Sequence, residues 1–119
     1  MSKEEKWTFT DGKIISPTGK TWPAKSGPWG RGSAPKGEYT IGETTGLPSI
    51  QETEPYTDKT GNSWFTPIEP TFQTNRTSLG VHPDGNVPGT EGCIGATEKD
   101  TSSLKEALKR ARGKKIVVK

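Results

Sequence analysis

Apolar and polar positions alternate in short runs separated by Gly, Pro and Asn, and only one stretch switches to a helical spacing. Trp7 to Thr10 and Lys13 to Ser16 flank Asp11-Gly12, a pair that supplies the positive φ angles of a two-residue turn, so a β-hairpin is expected there. Pro17 to Pro35 is thick with Pro, Gly, Ser and Trp and shows neither period, which predicts an irregular loop pinned by Trp22 and Trp29. Pro35-Lys36-Gly37 is a turn signal, after which Glu38 to Gly42 alternates as a half-buried strand should. Gly46 to Asn62 is polar and turn-rich. Further strands are expected over Ser63 to Ile68, Arg76 to His82 and Lys115 to Val118. Leu104, Ala107, Leu108 and Ala111 recur at i, i+3, i+4 and i+7 between a cap at Asp100 or Thr101 and a stop at Gly113, so the spacing predicts one helix over 101–112.

Composition tests whether these elements can fold at all. Ile, Leu, Val and Phe number only 18 of 119 residues, low enough to raise the question of disorder, but the net charge of +3 is small and four Trp supply bulky anchors. The 15 Gly and 10 Pro exclude a helical bundle. What remains is a mainly β chain, a single small, turn-rich domain over 1–119 with one C-terminal helix. No internal repeat is present. There is no stretch of eighteen apolar residues, and MSKEEKWTFT carries no apolar run of signal-peptide length, so neither a membrane span nor an export signal is expected and the protein should be made in the cytoplasm. One cysteine, Cys93, permits no internal disulfide.

The charge is uneven. Residues 99–119 hold eight Lys or Arg against Asp100 and Glu106. Basic residues in the last turns of a helix favour its dipole, which accounts for much of the run; an anionic polymer is the functional alternative. Nucleic acid is excluded as a partner because the basic helix has no interleaved aromatics.

The candidate chemistry is concentrated in one segment. The single His and the single Cys, His82 and Cys93, stand eleven residues apart, joined by a Gly/Pro/Asn loop. A thiol of pKa about 8.5 is only a few per cent thiolate at neutral pH, and an adjacent imidazole can take its proton. Glycines beside the nucleophile, Gly92 first, leave backbone N–H groups open to an oxyanion. Spacing alone does not separate such a pair from coincidence: a lone Cys is commonly a small buried hydrophobe, Ile94 beside it fits a core strand, and His82 can be a satisfied polar residue at a strand end. Zinc is not expected. His82, Asp84, Glu91 and Cys93 are potential ligands, but one His and one Cys fall short of the usual structural and catalytic sets. No Gly-x-Ser-x-Gly elbow offers a serine nucleophile.

Gly92-Cys93-Ile94, with Thr90 three positions before the thiol and His82 upstream, resembles the S/T-x-G-C signature of the L,D-transpeptidase catalytic (YkuD-like) domain family. It is most similar to a short branch found in peptidoglycan-attacking toxins and phage-borne proteins, in which a stretch like Gly32-Ser33-Ala34-Pro35-Lys36-Gly37-Glu38-Tyr39-Thr40-Ile41 precedes an Arg, here Arg76, then the His and the Cys. The resemblance spans residues 27–95. Two departures stand out: Glu91 occupies the place of a second His, and Gly95 that of an Arg after the Cys-Ile pair, so Arg76 is the replacement for carboxylate recognition.

The resemblance implies a small L,D-transpeptidase-like β-sandwich or open barrel and a cysteine enzyme acting on peptidoglycan stem peptides. Cys93 would be the nucleophile, His82 the base, and the N–H groups of Cys93 and Gly92 the oxyanion donors, with Arg76, Thr90, Glu91 and Tyr39 on the substrate. No cofactor is implied. The family orients its His through a backbone carbonyl, so Asp84 is an unneeded third member. Trp29, Trp64 and Tyr39 are available either to line a peptide groove or to anchor the core. The chain is expected to act as a monomer in the periplasm or wall after release as a phage endolysin or injection as a toxin, drawn to anionic envelope polymers by Lys105, Lys109, Arg110, Arg112, Lys114 and Lys115. A non-catalytic wall-binding module is the alternative from a different class.

Overall fold

The computed structural model describes residues 6–26, 34–47, 56–74, 79–84 and 93–119. The expected hairpin is present: β1 (Lys6–Thr10) and β2 (Lys13–Ile15) pair antiparallel around Asp11 and Gly12, whose φ angles of 53° and 74° are those the Asp-Gly pair was expected to supply. Next comes a strand where an irregular loop was expected. β3 (Thr21–Ser26) pairs with β2, burying Trp22 and Ala24 while Thr21, Pro23 and Lys25 face out. Its alternation holds one large apolar residue and a proline, too little to register as a strand in sequence.

The remaining strands are β4 (Gly37–Ile41), the two-residue β5 (Thr45–Gly46), β6 (Trp64–Pro70), β7 (Gly80–Pro83), β8 (Ile94–Ala96) and β9 (Lys115–Val118). Their order is β4-β9-β1-β2-β3-β8-β7-β6, and β4 also pairs with β6, so eight strands close into a barrel with β5 added outside β6. Of the sandwich and open-barrel forms the resemblance implied, the chain takes the barrel and seals its ring. Closure removes the exposed edges that a chain with so few large aliphatic residues would struggle to cover. Two pairings, β1 with β9 and β7 with β8, are parallel.

Inward-facing residues of the barrel form one core with the helix: Trp7, Ile14, Trp22, Tyr39, Ile41, Trp64, Ile68, Val81, Ile94 and Ile116 are all buried, joined by Leu104, Leu108 and Ala111. The Trp rings replace the missing aliphatic volume, with Trp7 and Trp22 stacked at 5.7 Å and 13°. Helix α1 (Ser102–Lys109) is shorter than the expected 101–112; residues 110–113 form turns that end on Gly113 at φ +88°, whose N–H donates to the Ile41 carbonyl at 2.8 Å. Both proposed cap residues are used, in different ways. Asp100 Oδ1 accepts from the Ser102 N–H at 3.0 Å, whereas Thr101 turns inward.

Thr101 belongs to a polar knot that fastens the helix to the barrel. Its N–H and its hydroxyl both donate to Asp58 Oδ2 at 2.7 Å, and its Oγ1 accepts from Trp64 Nε1–H at 2.8 Å. Asp58 Oδ1 accepts from the N–H groups of Thr60 and Asn62, each at 2.9 Å. Burial alone would raise this carboxyl's pKa, but the donors from Thr101 and Asn62 outweigh it and hold the group well below the usual carboxylate range.

Candidate active site

Strand register determines which side chains share the outer face of the barrel. In the parallel β7–β8 pair His82 lies opposite Gly95, and in the antiparallel β3–β8 pair Lys25 lies opposite Gly95. Thr66 pairs with Val81 and Pro67 with Gly80, so one step further along the same ladder Phe65 faces His82, and Thr45 of β5 lies opposite Phe65. A transverse row therefore runs Lys25, Gly95, His82, Phe65, Thr45. Cys93 is the bend residue just before β8, and the β7–β8 register pairs its neighbour Ile94 with Val81, so the chain at Cys93 enters β8 beside the start of β7, whose third residue is His82. Parallel pairing of β7 with β8 therefore brings the two single-copy reactive residues onto adjoining stretches of backbone.

His82 is oriented and buried. Its Nδ1 lies 2.6 Å from the Pro83 carbonyl oxygen, which can only accept, so Nδ1 carries the hydrogen and Nε2 keeps its lone pair. Tyr56 meets the imidazole edge-on at 4.6 Å, and Phe65 stacks nearly parallel at 6.1 Å and 17°. The residue is 4% exposed. Burial pulls its pKa below the ordinary 6.5, opposed by the Pro83 carbonyl and by the negative charge of Asp84, so the imidazole is a neutral base at neutral pH. The orienting role that Asp84 was free to fill is taken by the Pro83 carbonyl, as the resemblance implied.

Cys93 is half-buried. Gly92, Arg76, Thr90, Glu91 and Trp29 lie outside the described residues. Of the two uses left open for Tyr39 and Trp64, the structure shows core anchoring. Tyr39 has no exposed surface, its hydroxyl donates to the Pro35 carbonyl at 2.6 Å and its ring meets Phe72 edge-on, so placing it on the substrate is corrected. Tyr56 and Phe65 are the site residues that sequence reading missed. Tyr56 lay in a segment read as featureless turns, and Phe65 in a strand whose outward face had no assigned task.

Gly80, two positions before His82, makes this clamp possible. A Cβ there would collide with the Phe65 ring and come within 2.7 Å of the Thr66 carbonyl oxygen. A cleft of about 580 Å³ lies elsewhere, between α1 and the β2–β3 turn, with Trp7, Lys20, Trp22 and Arg110 among its walls; it shares no residue with the His82 face.

The fold has solved counterparts. The L,D-transpeptidase 1 of Mycobacterium tuberculosis superposes with a TM-score of 0.54 at 18% identity, covering 95% of this chain and 57% of that one. The chain has an L,D-transpeptidase-like fold. An L,D-transpeptidase from Mycobacterium smegmatis matches with a TM-score of 0.49 at 15% identity over 98% of this chain and 58% of its own. This L,D-transpeptidase-like chain therefore spans a little under three-fifths of the length of those proteins. No family model and no curated protein matches the sequence.

Proposed function

We propose that the chain is a cysteine-dependent enzyme acting on peptidoglycan stem peptides, either an L,D-carboxypeptidase or endopeptidase or an L,D-transpeptidase-type exchange enzyme. What supports this reading is His82, held with Nδ1 committed to the Pro83 carbonyl and Nε2 left as base, on the strand that pairs in parallel with β8, which Cys93 immediately precedes. In the reaction His82 Nε2 takes the thiol proton and the thiolate of Cys93 attacks the carbonyl of the meso-diaminopimelate residue. The tetrahedral oxyanion is held by the N–H groups of Cys93 and Gly92. The C–N bond then breaks, the leaving D-alanine amine takes the proton from His82, and a thioester remains. Water or a second amine opens the thioester.

The biological setting we favour is lysis as a phage endolysin, acting in the periplasm or wall; an injected toxin with the same chemistry is the second setting. The basic residues at and after α1 support a pull toward anionic envelope polymers. Mass analysis of muropeptides from Gram-negative peptidoglycan tests the chemistry. Loss of D-alanine, cut cross-links or exchange should appear with the native protein and vanish in Cys93→Ala and His82→Ala. Unchanged products from Cys93→Ala would sink the mechanism, and a Cys93 thiol no more reactive than free cysteine at neutral pH would favour a wall-binding module.

A further inference from the structure

The row of the outer face that carries His82 also carries the exposed ammonium group of Lys25. Lys25, on β3, is the Cα partner of Gly95, and Gly95 is the Cα partner of His82, so the three occupy one transverse row of the sheet. Strands lie about 4.8 Å apart, which sets the Lys25 backbone about 10 Å from that of His82. The position between them is a glycine, so no side chain stands between the lysine and the imidazole. Beyond His82 the row continues with Phe65 and Thr45, neither of them charged. With His82 neutral, Lys25 is the only charged member of the row.

Among the described residues nothing pairs with this charge. Lys25 is exposed, lies on the face opposite the core residues Trp22 and Ala24, and makes no ion pair among the described residues. By contrast Lys6 on the neighbouring sheet region is held by Glu38 at 2.8 Å. The acid nearest the imidazole in sequence, Asp84, bears on His82. An unneutralised cation beside the bare backbone of Gly95 is a recognition element for an anion lying along the row, with the lysine stem free to extend over the glycine.

We propose that Lys25 is a specificity-determining residue of this site, pairing with a carboxylate that flanks the scissile carbonyl. The inference rests on the reading of Cys93 and His82 as a stem-peptide site. Two carboxylates of a tetrapeptide stem have the right chemistry: the terminal one on the leaving residue and the side-chain one on the acyl donor. They are distinguished by amidating each in turn.

The experiment measures two quantities on the full chain. Binding of the tetrapeptide to a Cys93→Ala background is followed by calorimetry, with Lys25 native or changed to Ala, Glu or Arg; acylation of Cys93 in the otherwise native chain is followed by intact mass. Lys25→Ala should weaken binding of the diacid peptide about tenfold and Lys25→Glu further, Lys25→Arg should restore it, and one of the two amidated peptides should bind equally to all four proteins. In the active protein the loss should fall on KM, with kcat little changed. Binding indifferent to Lys25, equal losses for diacid and both amidated peptides, or no binding by the Cys93→Ala protein would overturn the proposal. Failure of acylation with Lys25-dependent binding intact would instead remove the proposed reaction and leave the carboxylate contact standing.

Discussion

The ring of Tyr56 meets the imidazole of His82 edge-on, 4.6 Å between centroids and 82° between planes. Phe65 covers a face of the same ring, so the base is dried by two aromatics while Nδ1 is held by the Pro83 carbonyl. Since burial is the main cause lowering the His82 pKa, the acid limb of Cys93 acylation should have its midpoint below 6.5. Phe65→Ala or Tyr56→Ala admits water and should move that midpoint up toward 6.5, leaving the enzyme less active at pH 6 but near its own plateau by pH 8. A pH profile of the acylation rate checks this, and an unmoved midpoint in both variants contradicts it. The same burial sets a stability sign. The unfolded chain takes up the proton at the ordinary value and the fold resists it, so His82 subtracts stability as pH falls below about 6.5.

Gly80 should tolerate no side chain. Its added Cβ would strike the Phe65 ring, and the second obstacle, the Thr66 carbonyl oxygen at 2.7 Å, is backbone and cannot swing away. Gly80→Ala is expected to cost about 1–3 kcal/mol in a urea titration. It should also disturb His82, because Phe65 must leave its stack. Gly80→Ala combined with Phe65→Ala should recover part of the stability and none of the low-pH activity. An additive double variant would show that the two positions do not meet.

Asp58 is the anchor between the polar loop and the helix. Its depressed pKa means that the stability it contributes is fully present above about 3.8 and is lost as pH falls below that value toward the folded-state value. Asp58→Ala leaves the Thr101 N–H and hydroxyl without their acceptor and should cost about 2–4 kcal/mol at pH 7. The difference from the native protein should shrink below pH 3, a convergence that denaturation at several pH values would reveal or refute. Thr101→Val should lose less, because it removes the hydroxyl links to Asp58 and Trp64 but keeps the N–H bond.

Local chemistry was legible in the sequence where a single residue pair decides it. Asp11-Gly12 fixes the hairpin, Gly113 stops the helix turn, and Ile116 to Val118 after Lys115 is a β-branched apolar run strong enough to be read with its bounds. β3 was not legible, since Pro23 and the turn residues on either side mask an alternation that becomes apolar only through Trp22 and Ala24. Its partners are fixed from a distance: the Ala24 N–H reaches the Gly12 carbonyl, and the Pro23 carbonyl accepts from Thr97. The same holds for the site. His82 and Cys93 stand out because each occurs once, yet Phe65 and Lys25 share the row of His82 only through register between strands far apart in the chain, and Tyr56 meets its ring from outside any strand, which no local pattern encodes.

The basic helix makes its own prediction. Lys109 and Arg112 face Glu106 and Glu43 at 3.8 Å, both pairs exposed and therefore weak, while Arg110 is exposed on the helix end. These charges add little to the fold and remain available to an external polyanion. If the protein is a wall-targeting lytic enzyme, expression in the cytoplasm should be harmless, and fusion to an export signal or co-expression with a holin should lyse cells in a Cys93-dependent way. Changing Lys105, Lys109, Arg110 and Arg112 together to Gln should leave turnover of a soluble stem peptide intact. Lysis of whole sacculi should slow, and the remaining rate should lose its dependence on salt, because screening weakens only the long-range attraction. Turbidity assays at low and at about 0.3 M salt measure this directly. Toxicity of the unexported protein, or harmless export of the native sequence, would count against a wall target. Equal salt dependence in the Gln variant would instead remove the basic helix from the process.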